Sequence, residues 1–212
     1  MRRFPAIVLA PAACLLLLSA PHAQAATQLF RIDPVHSQVL FSISHNGFSH
    51  PVGRIPLTRG WLRVDPENLA DGSAEAELDL AGVDLGDDDW NKAVRGPRLL
   101  DAKRQRYAHF ASTSVEDTGK RQGKLHGTLS LHGHTVPVII AFTLNRDGTT
   151  IFGMEKRIGF SARARLDRRQ FGITAHPGSI GHLVDVRLEI EAVADADAVQ
   201  EYRRSPEGRR QR

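Results

Sequence analysis

The chain has one cysteine, Cys14, and it lies inside the first hydrophobic run. An intrachain disulfide is therefore excluded, and stability has to come from an ordinary core. Strong charge is also lacking. The formal net charge is +4, and removal of the leader described below, with Arg2 and Arg3, lowers it to about +2. So weak a basicity gives no argument for nucleic acid as a partner. No serine sits in a G-x-S-x-G context, Ser112, Ser114, Ser130 and Ser179 included, and no glycine-rich strand-to-helix loop is present to cradle a phosphate. Nor does any stretch between residues 26 and 199 hold a helical period of the length seen in α/β enzymes. A parallel sheet with helical crossovers is thereby excluded.

Long apolar runs are missing except at the start. Arg2 and Arg3 precede an uncharged run from Phe4 to Leu18, and Ala23-Gln24-Ala25 supplies the small residues that signal peptidase reads. The run is shorter than the roughly 20 residues that span a bilayer, and Pro5 and Pro11 interrupt it. Cys14 is no lipoprotein cysteine, because Pro11 stands where a lipobox wants leucine and the apolar run continues past it. Residues 1–25 are expected to be a signal peptide cleaved before Ala26, which places the mature protein in the periplasm. The mature chain then has no cysteine, and its roughly 187 residues suffice for one self-supporting domain.

What the chain does have is alternation. Val39, Phe41, Ile43 and His45 alternate with polar or small residues, and the same two-residue period recurs in three longer runs. These are Val136 to Leu144, Ile158 to Leu166 and Val184 to Ile190, with Leu125, Leu129 and Leu131 as a fourth, looser set. Successive strand residues point to opposite faces, so each run has an oily face and a wet one. Strands are expected near residues 28–32, 38–45, 51–64, 74–83, 108–115, 123–132, 135–144, 156–166 and 182–193. Hairpin turns are expected at Asp117-Thr118-Gly119, His132-Gly133-His134 and Asp147-Gly148. Eight or nine antiparallel strands of this kind tend to close into a barrel whose interior is either packed or open to an apolar ligand.

From Gly86 to Arg106 the period fails. Asp87 to Asp89 ahead of Trp90 read as a helix start and Gly96-Pro97 as its stop, which makes a helical insertion across one barrel end, either a lid or a plug. Residues 196–212, with Arg203, Arg204, Arg209, Arg210 and Arg212 and no hydrophobic period, read as a disordered basic tail. Such a tail serves solubility, with attraction to an anionic membrane surface as the alternative.

Five segments resemble the YceI-like proteins. IDPVHSQVLFSISHNGFSHPVGRI (Ile32 to Ile55) carries Asp33, His36, Ser37, Phe41, His45, Gly47 and Gly53 at matching positions. The likeness continues through Arg95 to Thr113, Gly123 to Val138, Gly159 to Ile173 and Leu183 to Ala192, in order over nearly the whole mature chain. Ala108 stands where a proline is common, His182 where an acid is common, and Asn91 to Gly96 varies the usual helix. The resemblance implies an all-β, lipocalin-like eight-stranded antiparallel barrel with a short helical lid insertion over residues 26–195. It implies export and a long apolar ligand of the polyisoprenoid or isoprenoid-quinone type, with fatty amides or acids as further candidates. It implies no catalysis and no cofactor beyond the bound lipid.

On this reading the candidate wall residues are Val39, Phe41, Ile43, Trp61, Leu78, Leu80, Phe110, Leu129, Leu131, Val138, Ile140, Phe142, Phe160 and Phe171. Trp90, Leu99 and Leu100 close the lid. His45, ending its strand's inner face, is either a donor to a ligand headgroup or a structural histidine. His36 reads as a turn contact, and Asp167, Arg168 and Arg169 as a strand-end ion pair with a tight turn. Nine histidines remain after the leader, and the His132/His134 pair raises a rival reading as a metal-binding protein or metalloenzyme, for which spacing fixes no third ligand. A third reading is a side-chain-filled adaptor barrel that docks a membrane protein. A homodimer through open ends or sheet edges is also expected to be accessible.

Overall fold

The computed structural model describes residues 27–151 and 153–204. The leader, Cys14 and the chain beyond Arg204 lie outside the described residues. Ten strands form one antiparallel sheet: β1 (Gln28–Ile32), β2 (Gln38–His45), β3 (Val52–Ile55), β4 (Leu57–Val64), β5 (Ser73–Asp79), β6 (Tyr107–Gly119), β7 (Gln122–Leu131), β8 (His134–Thr149), β9 (Lys156–Asp167) and β10 (Ile180–Ala194). From β4 to β10 each strand pairs with the next, β5 and β6 included although α1 (Asp88–Arg95) intervenes between them in sequence. The sheet closes because β10 pairs along its first part with β2 and along its last part with β1.

Ten strands thus occupy eight positions around the barrel. β1 and β2 are two halves of one position, and β3 and β4, which pair with them in turn, are two halves of the next. Side chains hold the first break together. Asp33 accepts from the Val35 amide at 3.0 Å, meets the His36 ring at 2.7 Å and takes a 3.0 Å bond from Arg157. Burial would raise the Asp33 pKa, but these hydrogen bonds outweigh it and hold it down to about 2. Buried Ser37 donates to the Glu191 carbonyl and accepts from its amide, standing in for the missing ladder. His36 is the turn contact its sequence suggested. The second break falls at Pro56, which has no N–H to give to a ladder.

Several boundaries differ from the sequence expectation. The candidate strand over 51–64 is divided at Pro56, and that over 74–83 ends at Asp79, whose carboxylate accepts from the Ala81 amide and turns the chain into a 3-10 turn over Leu80–Gly82. Asp147-Gly148 is no hairpin turn: β8 runs through it to Thr149, with Asp147 opposite Ile158. The turn after β6 falls at Lys120 and Arg121, both with positive φ, as a twisted two-residue hairpin requires.

The tail is corrected as well. Ala198–Arg204 form a helix, α2, whose Ala198 and Tyr202 are buried against Trp61 with Val199 and Leu29 alongside. Apolar residues four apart share one helix face, a spacing that the arginines of this segment obscure. Arg59 fastens the helix by donating to the Tyr202 carbonyl at 2.9 Å, with its guanidinium 4.8 Å above the Tyr202 ring.

Two apolar clusters occupy the barrel. Phe30, Ile32, Leu144, Ile158 and Ala192 form one near the end where β1 begins. Leu80, Ala108, Leu129, Phe171 and Ile173 form the other at the end covered by α1.

Candidate functional site

Between and beside these clusters the barrel is open. A cavity of about 490 Å³ runs through it, within the roughly 300–1,000 Å³ typical of small-molecule sites. Its wall draws on all ten strands, on the 3-10 turns after β4 and β5, and on the insertion around α1. The lining is almost wholly aliphatic and aromatic; Ser44, His45, Arg63, Ser73 and Arg168 are the few polar residues that border it.

The bore stays open because inward positions are small or overlain. Ala74 and Ala76 of β5, Ala108 of β6 and Ala162 and Ala164 of β9 all face it. The large rings lie against the wall at glycines. Phe41 covers Gly53, Phe110 covers Gly127 and Phe142 covers Gly123, each so closely that an added Cβ would fall within 2.3–2.6 Å of the ring. Phe142 also meets Phe160 edge to face at 5.8 Å.

Seventeen of the sequence-derived candidates line this one space: Val39, Phe41, Ile43, His45, Leu78, Leu80, Trp90, Leu99, Leu100, Phe110, Leu129, Leu131, Val138, Ile140, Phe142, Phe160 and Phe171. Trp61 does not. It is 7% exposed, yet it points away from the bore and is covered from outside by α2. A register shift in β4 between Leu57 and Arg59 contributes to this, since Leu57, Leu62 and Val64 face the bore while Arg59 and Trp61 do not. Wall residues left off the candidate list include Ala74 and Ala76, which share the parity of Leu78, and Leu69 of the turn after β4. The two-residue period would have found the alanines. The sequence marked Arg168 only as a neighbour of Asp167, not as a wall residue.

The insertion spans one end. Asp87 caps α1 by accepting from the Trp90 amide at 2.9 Å. Buried Asn91 accepts from the Leu85 amide at 2.7 Å and donates to Asp84, whose backbone pairs with Arg54 of β3. The segment is thereby tied to the barrel rim while Leu85, Trp90, Ala93, Val94, Leu99 and Leu100 face inward. Trp90 remains 40% exposed and stands 5.3 Å from the His45 ring. The two halves of the mouth meet in that contact.

His132 and His134 do come together, their rings stacked at 6.3 Å, but each bonds a backbone carbonyl, of Phe171 and of His132 respectively. Among the described residues no group of three or more histidines, cysteines and carboxylates is placed to hold a metal. The ion pair expected near the end of β9 forms between Asp167 and Arg169, and Gly172 takes the left-handed turn, but Arg168 goes elsewhere. It is 5% exposed and donates to the carbonyls of Gly181, Ile173 and Ile180 at 2.8, 2.7 and 2.9 Å.

Known proteins share both sequence and architecture with this chain. A UPF0312 protein of Vibrio cholerae serotype O1 is 32% identical over 171 residues, covering 81% of this chain and 89% of that protein. A UPF0312 protein of Pseudomonas syringae pv. tomato is 31% identical over 177 residues, covering 84% and 91%. Among solved structures, Burkholderia cenocepacia BcnA superposes with a TM-score of 0.68 at 23% identity, over 76% of this chain and 99% of its own. A polyisoprenoid binding domain from Saccharophagus degradans does so with a TM-score of 0.61 at 17% identity, over 80% and 100%. At such low identity the two structures speak to the fold alone. The model of the YceI-like domain matches residues 30–192, nearly the whole barrel, and the protein belongs to that family.

Proposed function

We propose that this protein binds a long apolar lipid, a polyisoprenoid, an isoprenoid quinone or a fatty amide or acid, and carries or sequesters it in the periplasm after export. The observation that carries the reading is the open, apolar bore of about 490 Å³. Empty apolar space inside a barrel gives up packing that side chains would otherwise supply, so a guest restores it. Each buried methylene contributes about 0.8 kcal/mol, and a chain of several isoprene units then offsets the roughly 4–15 kcal/mol cost of immobilisation. The polyisoprenoid-binding character of the Saccharophagus domain, on the same fold, supports the ligand class. Binding rather than catalysis fits a lining with so few groups able to move a proton.

One preparation tests both parts. Native protein taken from the osmotic-shock fraction should begin at Ala26, and organic extraction followed by mass spectrometry should release about one long-chain lipid per chain. A clean extract from protein that also fails to take up added lipid would sink the proposal.

A further inference from the structure

Polar groups in the cavity wall are not spread evenly. Arg63 and Ser73 sit at the end away from α1, and Arg63 is exposed, so water screens its charge. His45 and Arg168 lie at the end that α1 covers. They meet at an irregularity in the sheet. Between Ile180 and Val184 the register of β10 against β2 shifts, with Ile180 opposite His45 and Val184 opposite Ile43. Bulges of this kind re-aim groups beside functional sites. Here the carbonyls of Ile180 and Gly181 accept from Arg168, while Gly181 lies against Ser44.

Arg168 is a buried cation with no ion pair among the described residues. Its neighbour Asp167 is engaged by Arg169, and among the described residues no carboxylate stands within ion-pair distance of the Arg168 guanidinium. The three carbonyls occupy one N–H on each nitrogen, which leaves a second N–H on Nη1 and on Nη2 with no acceptor among the described residues. Burial lowers its pKa, the sign of a charge held away from water. A buried charge is ordinarily paired, and a guanidinium matches a carboxylate in shape as well as sign.

We infer that Arg168, with His45 beside it, is a headgroup site that takes the carboxylate of a long-chain acid at the covered end of the cavity. The inference rests on the lipid-binding reading above and narrows it. The hydrocarbon then runs along the bore toward Leu69, and the acid lies beneath Trp90.

The test uses the full chain stripped of lipid. A bound fluorescent fatty probe is displaced at neutral pH by two ligands of one chain length, a saturated acid and its primary alcohol. The acid should bind about tenfold or more tighter, the strength of a charge-assisted hydrogen bond beyond a neutral one. A second measurement titrates the carboxyl carbon of a 13C-labelled acid by NMR. Bound at Arg168, that carboxyl should titrate below the free acid, whereas burial in the apolar bore alone would raise it. Equal affinities, or a raised carboxyl pKa, would overturn the headgroup site while leaving lipid binding intact. Failure of both ligands to displace the probe, with no uptake of either, would overturn the lipid reading itself. Arg168→Gln should bring the affinity for the acid down to that for the alcohol. Because Arg168 also braces residues 173–181, that variant carries a folding risk, and the two measurements on the unmodified chain decide on their own.

Discussion

The two faces of the wall made by β4 and β5 are both covered, but by different things and to different ends. On the inner face Ala74, Ala76, Leu78 and Leu62 border open space, and several neighbours in the bore, Phe110 among them, stay only half-buried because one side meets no protein. On the outer face Trp61 is closed in by Ala198 and Tyr202 of α2, and Glu77 is buried as well. Glu77 is 2% exposed, held by Arg59 at 3.0 Å and by the Thr58 hydroxyl at 2.9 Å, with the His109 ring 3.7 Å away. Burial pushes the Tyr202 hydroxyl up to about 12, so it stays neutral. Full burial in this molecule marks stability. Partial burial inside the barrel marks the place where something is still to be fitted.

That contrast can be broken in three ways. The largest effect is expected at Phe171, 1% exposed in the cluster at the covered end, where Phe171→Ala should cost about 4 kcal/mol in urea unfolding. Phe110→Ala, which loses contacts on one side only, should cost about half as much; equal costs would mean that the bore is packed after all. Next, Glu77→Ala leaves Arg59 without its carboxylate and should cost about 3 kcal/mol, with lipid uptake unchanged. A loss of uptake from that outer-face change would end the separation of the two faces. The smallest effect is expected from Ala164→Phe, which places a ring in the bore. It should leave the unfolding free energy within about 1 kcal/mol, although the same enlargement in a filled core costs about 1–3 kcal/mol. Lipid uptake should drop about tenfold.

The inward faces of β2, β8, β9 and β10 were legible in the sequence because a strand's period of two is rigid once one face is apolar. Val39, Phe41, Ile43, Val138, Ile140, Phe142 and Phe160 follow from it directly. Trp61 was misplaced because the register shift in β4 breaks that period, and a local shift leaves no trace in composition. α2 was missed because its stabilising face is supplied by the barrel: a helix of seven residues has too few internal bonds to stand alone. Arg168 was grouped with Arg169 as a possible partner of Asp167 because the three are adjacent in sequence. Its partners are the Ile173 carbonyl and two carbonyls beside the irregularity in β10, a feature of pairing that no residue type announces.

The phenylalanines resting on glycines have a consequence for how the family's tubes can differ in width. A methyl group added at Gly127 would come within 2.6 Å of the Phe110 ring and 2.5 Å of the Ala111 carbonyl, so the ring would have to swing toward the axis. The calibre of the passage is thus set in part from behind its own lining. A change at a residue that never touches the guest can decide how thick a guest is admitted.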